Sequence, residues 1–160
     1  MLRTTQCLIK RFRPTLFKKH VRFVSNLEDF SIYDKAEGTY FEELDEEGFL
    51  VNGNYYRGGV LAFNDLVLLW DVNSIDELTP ESLQAVTLFN PPINMLFVGT
   101  GKITSPLPSS VVDYLHKHNI SVESMSTSAA AANFNFLHDD KQRVAAALIP
   151  EQPSEKVFES

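Results

Sequence analysis

The sequence predicts an α/β domain in which a β-rich amino-terminal half joins a β-α-β-α-β unit. Three observations carry this. Between residues 49 and 70, short apolar runs are separated by turn dipeptides; between 93 and 149, apolar runs alternate with segments of helical period. The length of 160 residues, with 44% apolar and 22% charged residues, lets one core bury roughly two-thirds of the surface of the unfolded chain. A single cysteine among 160 residues excludes a disulfide scaffold, and 7 Gly and 8 Pro exclude collagen-like and low-complexity classes.

Residues 25–38 show little periodicity and read as a lead-in. The acidic run Glu42-Glu43-Leu44-Asp45-Glu46-Glu47 reads as a solvated loop or a face offered to a basic partner. Catalytic carboxylates need burial to shift their pKa, and so crowded a polar run does not suggest it. Phe49-Leu50-Val51, Asn52-Gly53-Asn54 and Tyr55-Tyr56 form a hairpin signal around an Asn-Gly turn, with a second break at Arg57-Gly58-Gly59. Val60 to Phe63, Asn64-Asp65 and Leu66 to Trp70 repeat the pattern, so the first half is predicted to be a β-meander.

Helix signals begin at Asn73. Ser74 with Glu77 three residues later, and Thr79-Pro80-Glu81, both mark starts, with Pro allowed at the first helical position. The helix is expected to reach about Leu88 and to stop at Asn90-Pro91-Pro92. A strand is predicted over Ile93 to Val98, then the loop Gly99 to Pro108, then a helix near Ser109 to His118. Val111, Val112, Leu115 and Tyr114 fall on one face of that helix. Ile120 to Met125 alternates as a half-buried strand, and Ser126-Thr127-Ser128 caps a helix through Ala129 to His138. Arg143 to Ile149 is the last strand, ended by Pro150, and residues 151–160 are polar enough for a mobile tail. Strand–helix–strand–helix–strand implies parallel neighbours joined by right-handed crossovers. The β-rich half then packs on that sheet or extends it.

The formal net charge of −7 divides unevenly. Residues 1–24 hold seven of the 14 basic residues and no acid, which leaves seven bases against 21 acids, or −14, in the rest. An acid-free, Arg-containing start with interspersed Leu8, Ile9, Phe12, Leu16, Phe17 and Val21 predicts a mitochondrial transit peptide over 1–24. A retained basic arm for nucleic acid or an anionic surface is the alternative. Cys7 lies within that segment, so cleavage would leave no thiol for a nucleophile, an iron–sulfur cluster or a thiolate zinc site. The acidic body disfavours nucleic acid, whose phosphates need a basic stripe. The longest apolar run, Val144 to Ile149, has six residues, against roughly 18–20 for a membrane-spanning helix.

No metal site and no cofactor are predicted. His116 and His118 are two apart on a helix and point to different faces. His138-Asp139-Asp140 reads as a histidine at the negative end of a helix dipole beside a solvated turn. Neither a G-x-S-x-G elbow nor an H-E-x-x-H motif is present, so no catalytic residue is assigned. The loop Gly99-Thr100-Gly101-Lys102 follows a strand, where glycines let backbone amides approach an anion. As a dinucleotide fingerprint it lacks the third glycine, at Thr104, and Glu123 lies within the next strand. As a Walker loop it has Leu96 for the first glycine and Ile103 for the magnesium-binding hydroxyl. The structural-turn reading stands beside an alternative, a small-molecule or nucleotide-binding matrix enzyme using Gly99–Lys102. Phe134 and Phe136 bracket Asn135 and splay to different faces, which fits either two core contacts or one core residue with the other open to a partner.

The motifs Leu88-Phe-Asn-Pro-Pro92, Leu96-Phe-Val-Gly-Thr-Gly-Lys102, Pro106-Leu-Pro108, Ile120-Ser-Val-Glu123, Thr127, Asn133-Phe-Asn-Phe-Leu137 and Val144-Ala-Ala-Ala-Leu-Ile-Pro150 occur in register. With Tyr56-Arg-Gly-Gly-Val-Leu61 and Trp70, the chain from about 38 to 150 resembles the mitochondrial respiratory complex I assembly factor 3 family, which has small bacterial and archaeal relatives. The resemblance implies a three-layer single domain with a central mixed sheet over 39–150. It further implies a non-catalytic assembly factor in the matrix, peripheral to the inner membrane. Its partners would be a companion assembly factor and the early ubiquinone-module subunits of the matrix arm. A pocket or partner-binding region is implied at Gly99, Thr100, Gly101, Lys102, Thr127 and Asn135. Between Thr127 and Asn133 the family usually carries an Asn and, two residues later, a Cys; Ala129 and Ala131 stand there, and Ser128 replaces an arginine common in prokaryotic members. The departure favours binding over catalysis.

Overall fold

In the computed structural model, which describes residues 38–151, the chain first forms a small antiparallel sheet of β1 (Phe41–Leu44), β2 (Gly48–Val51) and β3 (Asn54–Arg57), in that order. Asn52 and Gly53 join β2 to β3 with φ of 49° and 74°, the paired left-handed conformations that an Asn-Gly hairpin turn requires. The expected transit peptide, nearly all of the lead-in and all but the first residue of the tail lie outside the described residues.

A second, five-stranded sheet contains β4 (Gly59–Ala62), β5 (Val67–Trp70), β6 (Met95–Thr100), β7 (Ser121–Met125) and β8 (Val144–Ile149). Its order is β5-β4-β8-β6-β7, with β6 parallel to β7 and β8, and β4 antiparallel to β5 and β8. The sheet is therefore mixed. Helices α1 (Gln84–Leu88), α2 (Ser109–Lys117) and α3 (Thr127–Asp139) complete the domain.

Strand periodicity sorts the core into two faces. Leu96, Val98, Ala145 and Ala147 share one cluster with Val111 and Leu115 of α2 and Val86 of α1. Phe97, Ala146 and Leu148 share the other with Ala130 and Phe134 of α3 and Phe41 and Phe49 of the small sheet. Chain direction explains the arrangement. The β6–α2–β7 crossover and the β7–α3–β8 crossover move opposite ways along the sheet, so crossovers of one hand place their helices on opposite faces. Three layers result: α1 and α2, the five-stranded sheet, then α3 with the small sheet.

Three expectations need correction. The β-rich half is not one meander: the chain breaks at Gly58, φ 92°, and β4–β5 joins the large sheet. Gly59, at the start of β4, must be glycine because a side chain there would come within 2.5 Å of the Val72 carbonyl oxygen. The acidic run is only partly a loop, since Glu42 and Glu43 lie on β1, exposed, with Phe41 buried and Leu44 half-buried. The helix expected from residue 74 is instead a single 3-10 turn over Ile75–Glu77, then a second over Glu81–Leu83 leading into α1. Leu78 turns extended at ψ 117° and Pro80 brings no N–H, so the two turns cannot merge. Glu77 accepts the Asn73 N–H at 2.9 Å, and the Ser74 side chain makes no cap.

Candidate functional site

The glycine loop begins inside β6, where the strand passes beneath the first residue of α3. A side chain on Gly99 would lie 2.8 Å from Thr127 Cα and 2.9 Å from Leu148 Cδ2, so only glycine fits. Gly101 then turns the chain at φ 94°, a left-handed conformation that glycine adopts without penalty. Thr127, fully buried, closes the joint. Its Oγ1 accepts the Gly101 N–H at 2.8 Å and donates to the Ile149 carbonyl at 2.6 Å, while its own N–H donates to the Gly101 carbonyl at 2.8 Å.

Thr100 organises the outgoing loop. Its hydroxyl accepts the Ser105 N–H at 2.9 Å and faces the carbonyls of Ile103 at 2.9 Å and Met125 at 3.2 Å. Lys102 is exposed at the rim. The structure thus brings Gly99, Thr100, Gly101 and Thr127 together and leaves Asn135 apart, about 12 Å further along α3 at 1.5 Å per residue. Asn135 grips β1 from there: Oδ1 accepts the Phe41 N–H at 3.0 Å, and Nδ2 donates to the Phe41 carbonyl at 2.9 Å. On either side of it, Phe134 is fully buried and Phe136 is 72% exposed.

The chemical capacity of the loop follows from these bonds. An anion cradle works through free backbone amides, and the Gly101 amide is committed to Thr127. His138 is buried, with Nε2 2.9 Å from the Asn64 carbonyl; its Nδ1 has no hydrogen-bond partner and lies 4.0 Å from Asp139 Oδ1. Among the described residues no group of three or more His, Cys, Asp or Glu could hold a metal ion.

Sequence reasoning passed over two features. The first is Asp45, which folds the β1–β2 turn by accepting the N–H groups of Glu47 and Gly48, each at 2.8 Å, and the Tyr55 hydroxyl at 2.8 Å. An Asp three residues before a Gly at a strand break is the signal that could have found it. Burial pushes its carboxyl up, but the bonds from Glu47, Tyr55 and Gly48 outweigh burial and hold it below the usual value. Burial and the Asp45 hydrogen bond together push Tyr55 up to about 12. A depressed carboxyl stabilises the fold above its unfolded value and loses that contribution as pH falls through the folded one. Wild type should therefore exceed Asp45→Asn in urea midpoint at pH 7, with the difference shrinking as pH falls through and below the ordinary carboxylate range. An unchanged difference at acid pH would refute this.

The second is an open groove of about 420 Å³ where β3, β4 and β5 meet, lined by Arg57, Gly58, Gly59, Leu69, Trp70, Asp71 and Asn73. Trp70 is fixed there by its indole N–H, which donates to the Ser82 carbonyl at 2.9 Å.

Residues 41–149 match the family described as a protein of unknown function (DUF498/DUF598). The chain is 34% identical over 147 residues to the Xenopus tropicalis NADH dehydrogenase (ubiquinone) 1 alpha subcomplex assembly factor 3, covering 91% of this chain and 78% of the relative. The Danio rerio protein of the same name is 38% identical over 117 residues, 73% of this chain and 67% of the relative. Among solved structures, a crystal structure of a Bordetella parapertussis protein superposes with a TM-score of 0.66 at 26% identity, covering 72% of this chain and 98% of that one.

Proposed function

Because the chain belongs to the NADH dehydrogenase (ubiquinone) 1 alpha subcomplex assembly factor 3 family, we propose that it is a complex I assembly factor that works by binding proteins and not by catalysis. The observation that carries the non-catalytic reading is the commitment of the glycine loop to the fold. Gly101 spends its N–H and its carbonyl on Thr127, so the loop is a joint between β6, α3 and β8. Gly99, Thr100, Gly101, Thr127 and Asn135 set the shape of a partner-binding region, and Lys102 is its exposed charged group.

The partners in this reading are ubiquinone-module subunits of the matrix arm and a companion assembly factor. Residues 1–24 act as the transit peptide, 25–38 as a lead-in, 39–150 as the working domain and 151–160 as a tail. The site of action is the matrix, at the inner membrane surface; no described helix is long and apolar enough to cross a membrane. Between residues 38 and 151, five basic residues face 15 acids, which suits basic partners.

Deleting the gene should deplete complex I and leave stalled ubiquinone-module intermediates on native gels, with wild-type protein restoring the enzyme. Normal complex I after deletion would sink the proposal.

A further inference from the structure

The five-stranded sheet ends on two edges of unlike chemistry. At one edge, β7 exposes Ser121 and Glu123, polar side chains of the kind that protect an edge from strand addition. At the other, β5 reads Val67-Leu68-Leu69-Trp70, carries no charge within the strand, and among the described residues pairs only with β4. Leu66, Leu68 and Leu69 are 41%, 36% and 68% exposed. Register sets Leu68 beside Leu61 on one face of the sheet and Leu69 beside Val60 on the other. Both inner neighbours are buried, and while Val67 and Trp70 of β5 pack on the two cores, Leu68 and Leu69 lack cover, one on each face, as side chains do when a neighbouring strand is missing.

Charge selects the occupant. Asp65 and Asp71 bracket the strand, and Arg57, which lines the groove beside it, has Glu47 at 3.3 Å. Antiparallel pairing of two β5 strands about their centres would bring Asp65 of each copy close to Asp71 of the other. Each copy also carries a large excess of acid, so a second copy is repelled at both ends. An extended apolar segment with Lys or Arg at its ends is attracted at both.

We propose that β5 is the docking edge for such a segment, about five residues long, of a partner protein, added as a sixth strand. Main-chain bonds along β5 give affinity. Leu68 and Leu69 on opposite faces select alternate apolar side chains, and the groove beyond Trp70 receives the end of the segment. This deepens the assembly-factor reading and rests on it.

The test uses the full-length chain in cells lacking the native gene. A photo-crosslinking benzoylphenylalanine replaces Leu69 in one strain and Phe136 in another, and crosslinked peptides are mapped by mass spectrometry. The expected product joins position 69 to an apolar, Lys- or Arg-flanked segment of a complex I subunit or another assembly factor. Leu69→Lys, a residue that guards natural edges, should reduce assembled complex I several-fold with the protein still folded, while Leu69→Ile should not. Crosslinks to a second copy or to residues of this chain's own amino terminus overturn the proposal, as do partner crosslinks from position 136 with none from 69. Full complex I with Leu69→Lys, where gene deletion depletes it, overturns the edge and leaves the assembly-factor reading standing. If Leu69→Lys fails to fold, the crosslinks from position 69 decide.

Discussion

Phe134→Ala should destabilise the domain by about 4 kcal/mol, the usual cost of emptying a fully buried phenylalanine site. In a domain of this size that lowers the melting temperature by about 15 °C. The site is costly because Phe134 connects three elements. Its ring meets Phe41 of β1 edge-on at 5.6 Å, Phe41 meets Phe49 of β2 edge-on at 5.9 Å, and the same ring stacks on His138 at 5.8 Å. The hole would open where α3, β1 and β2 converge, and Asn135, gripping the Phe41 backbone, restrains the collapse that could fill it. Phe136→Ala, two residues away and 72% exposed, should change stability by less than about 0.5 kcal/mol. Thermal and urea unfolding of the two variants side by side checks the contrast; equal losses would refute the assignment of Phe134 to the core.

Thr127→Val should cost about 3 kcal/mol although it barely changes volume. The methyl that replaces the hydroxyl leaves the Gly101 N–H and the Ile149 carbonyl without their partner in a fully buried position, and each orphaned group costs about 1–3 kcal/mol. Thr127→Ser, which keeps the hydroxyl and loses a methyl, should cost about 1 kcal/mol. Gly99→Ala strikes the same joint from below, because the added carbon would press on the backbone of Thr127. Combined with Thr127→Val it should lose less than the sum, since both displace the start of α3. Urea midpoints for the three variants and the double variant check this. A Thr127→Val protein as stable as wild type would show that the hydroxyl contributes nothing net.

The α/β half was legible in detail because its signals are local. Caps, the Asn90-Pro91-Pro92 stop and apolar runs placed β6, α2, β7, α3 and β8 within one or two residues. The Asn52-Gly53 turn likewise declared its hairpin. What stayed hidden depends on long-range partners. β1 looks like an acidic loop until Phe41 is seen against Phe134, and its pairing with β2 is what makes a strand of Glu42 and Glu43. The break at Gly58 was visible, but not that the strands on its two sides enter different sheets. At the candidate site, the glycines marked a special turn correctly. No local pattern could say that the Gly101 amide meets Thr127, or that Asn135 serves Phe41, 94 residues away in the chain.

β8 lies at the centre of the large sheet and is buried along its whole length, yet it is the last of the described strands. On one side it pairs with β4, Ala62 against Ala146; on the other with β6, Leu96 against Ala145. β4 and β6 do not pair with each other, so the hairpin half and the α/β half of the sheet are joined only through this strand. Its ladder to β4 closes one of the longest loops in the fold, an entropic cost that only late, cooperative assembly repays. A chain delivered from its amino terminus, by a ribosome or through a translocation pore, therefore holds the large sheet as two unpaired ladders, β4–β5 and β6–β7, until residues 144–149 arrive. Closure of the large sheet waits for its central strand, and reports that residues 59–149 have all been delivered.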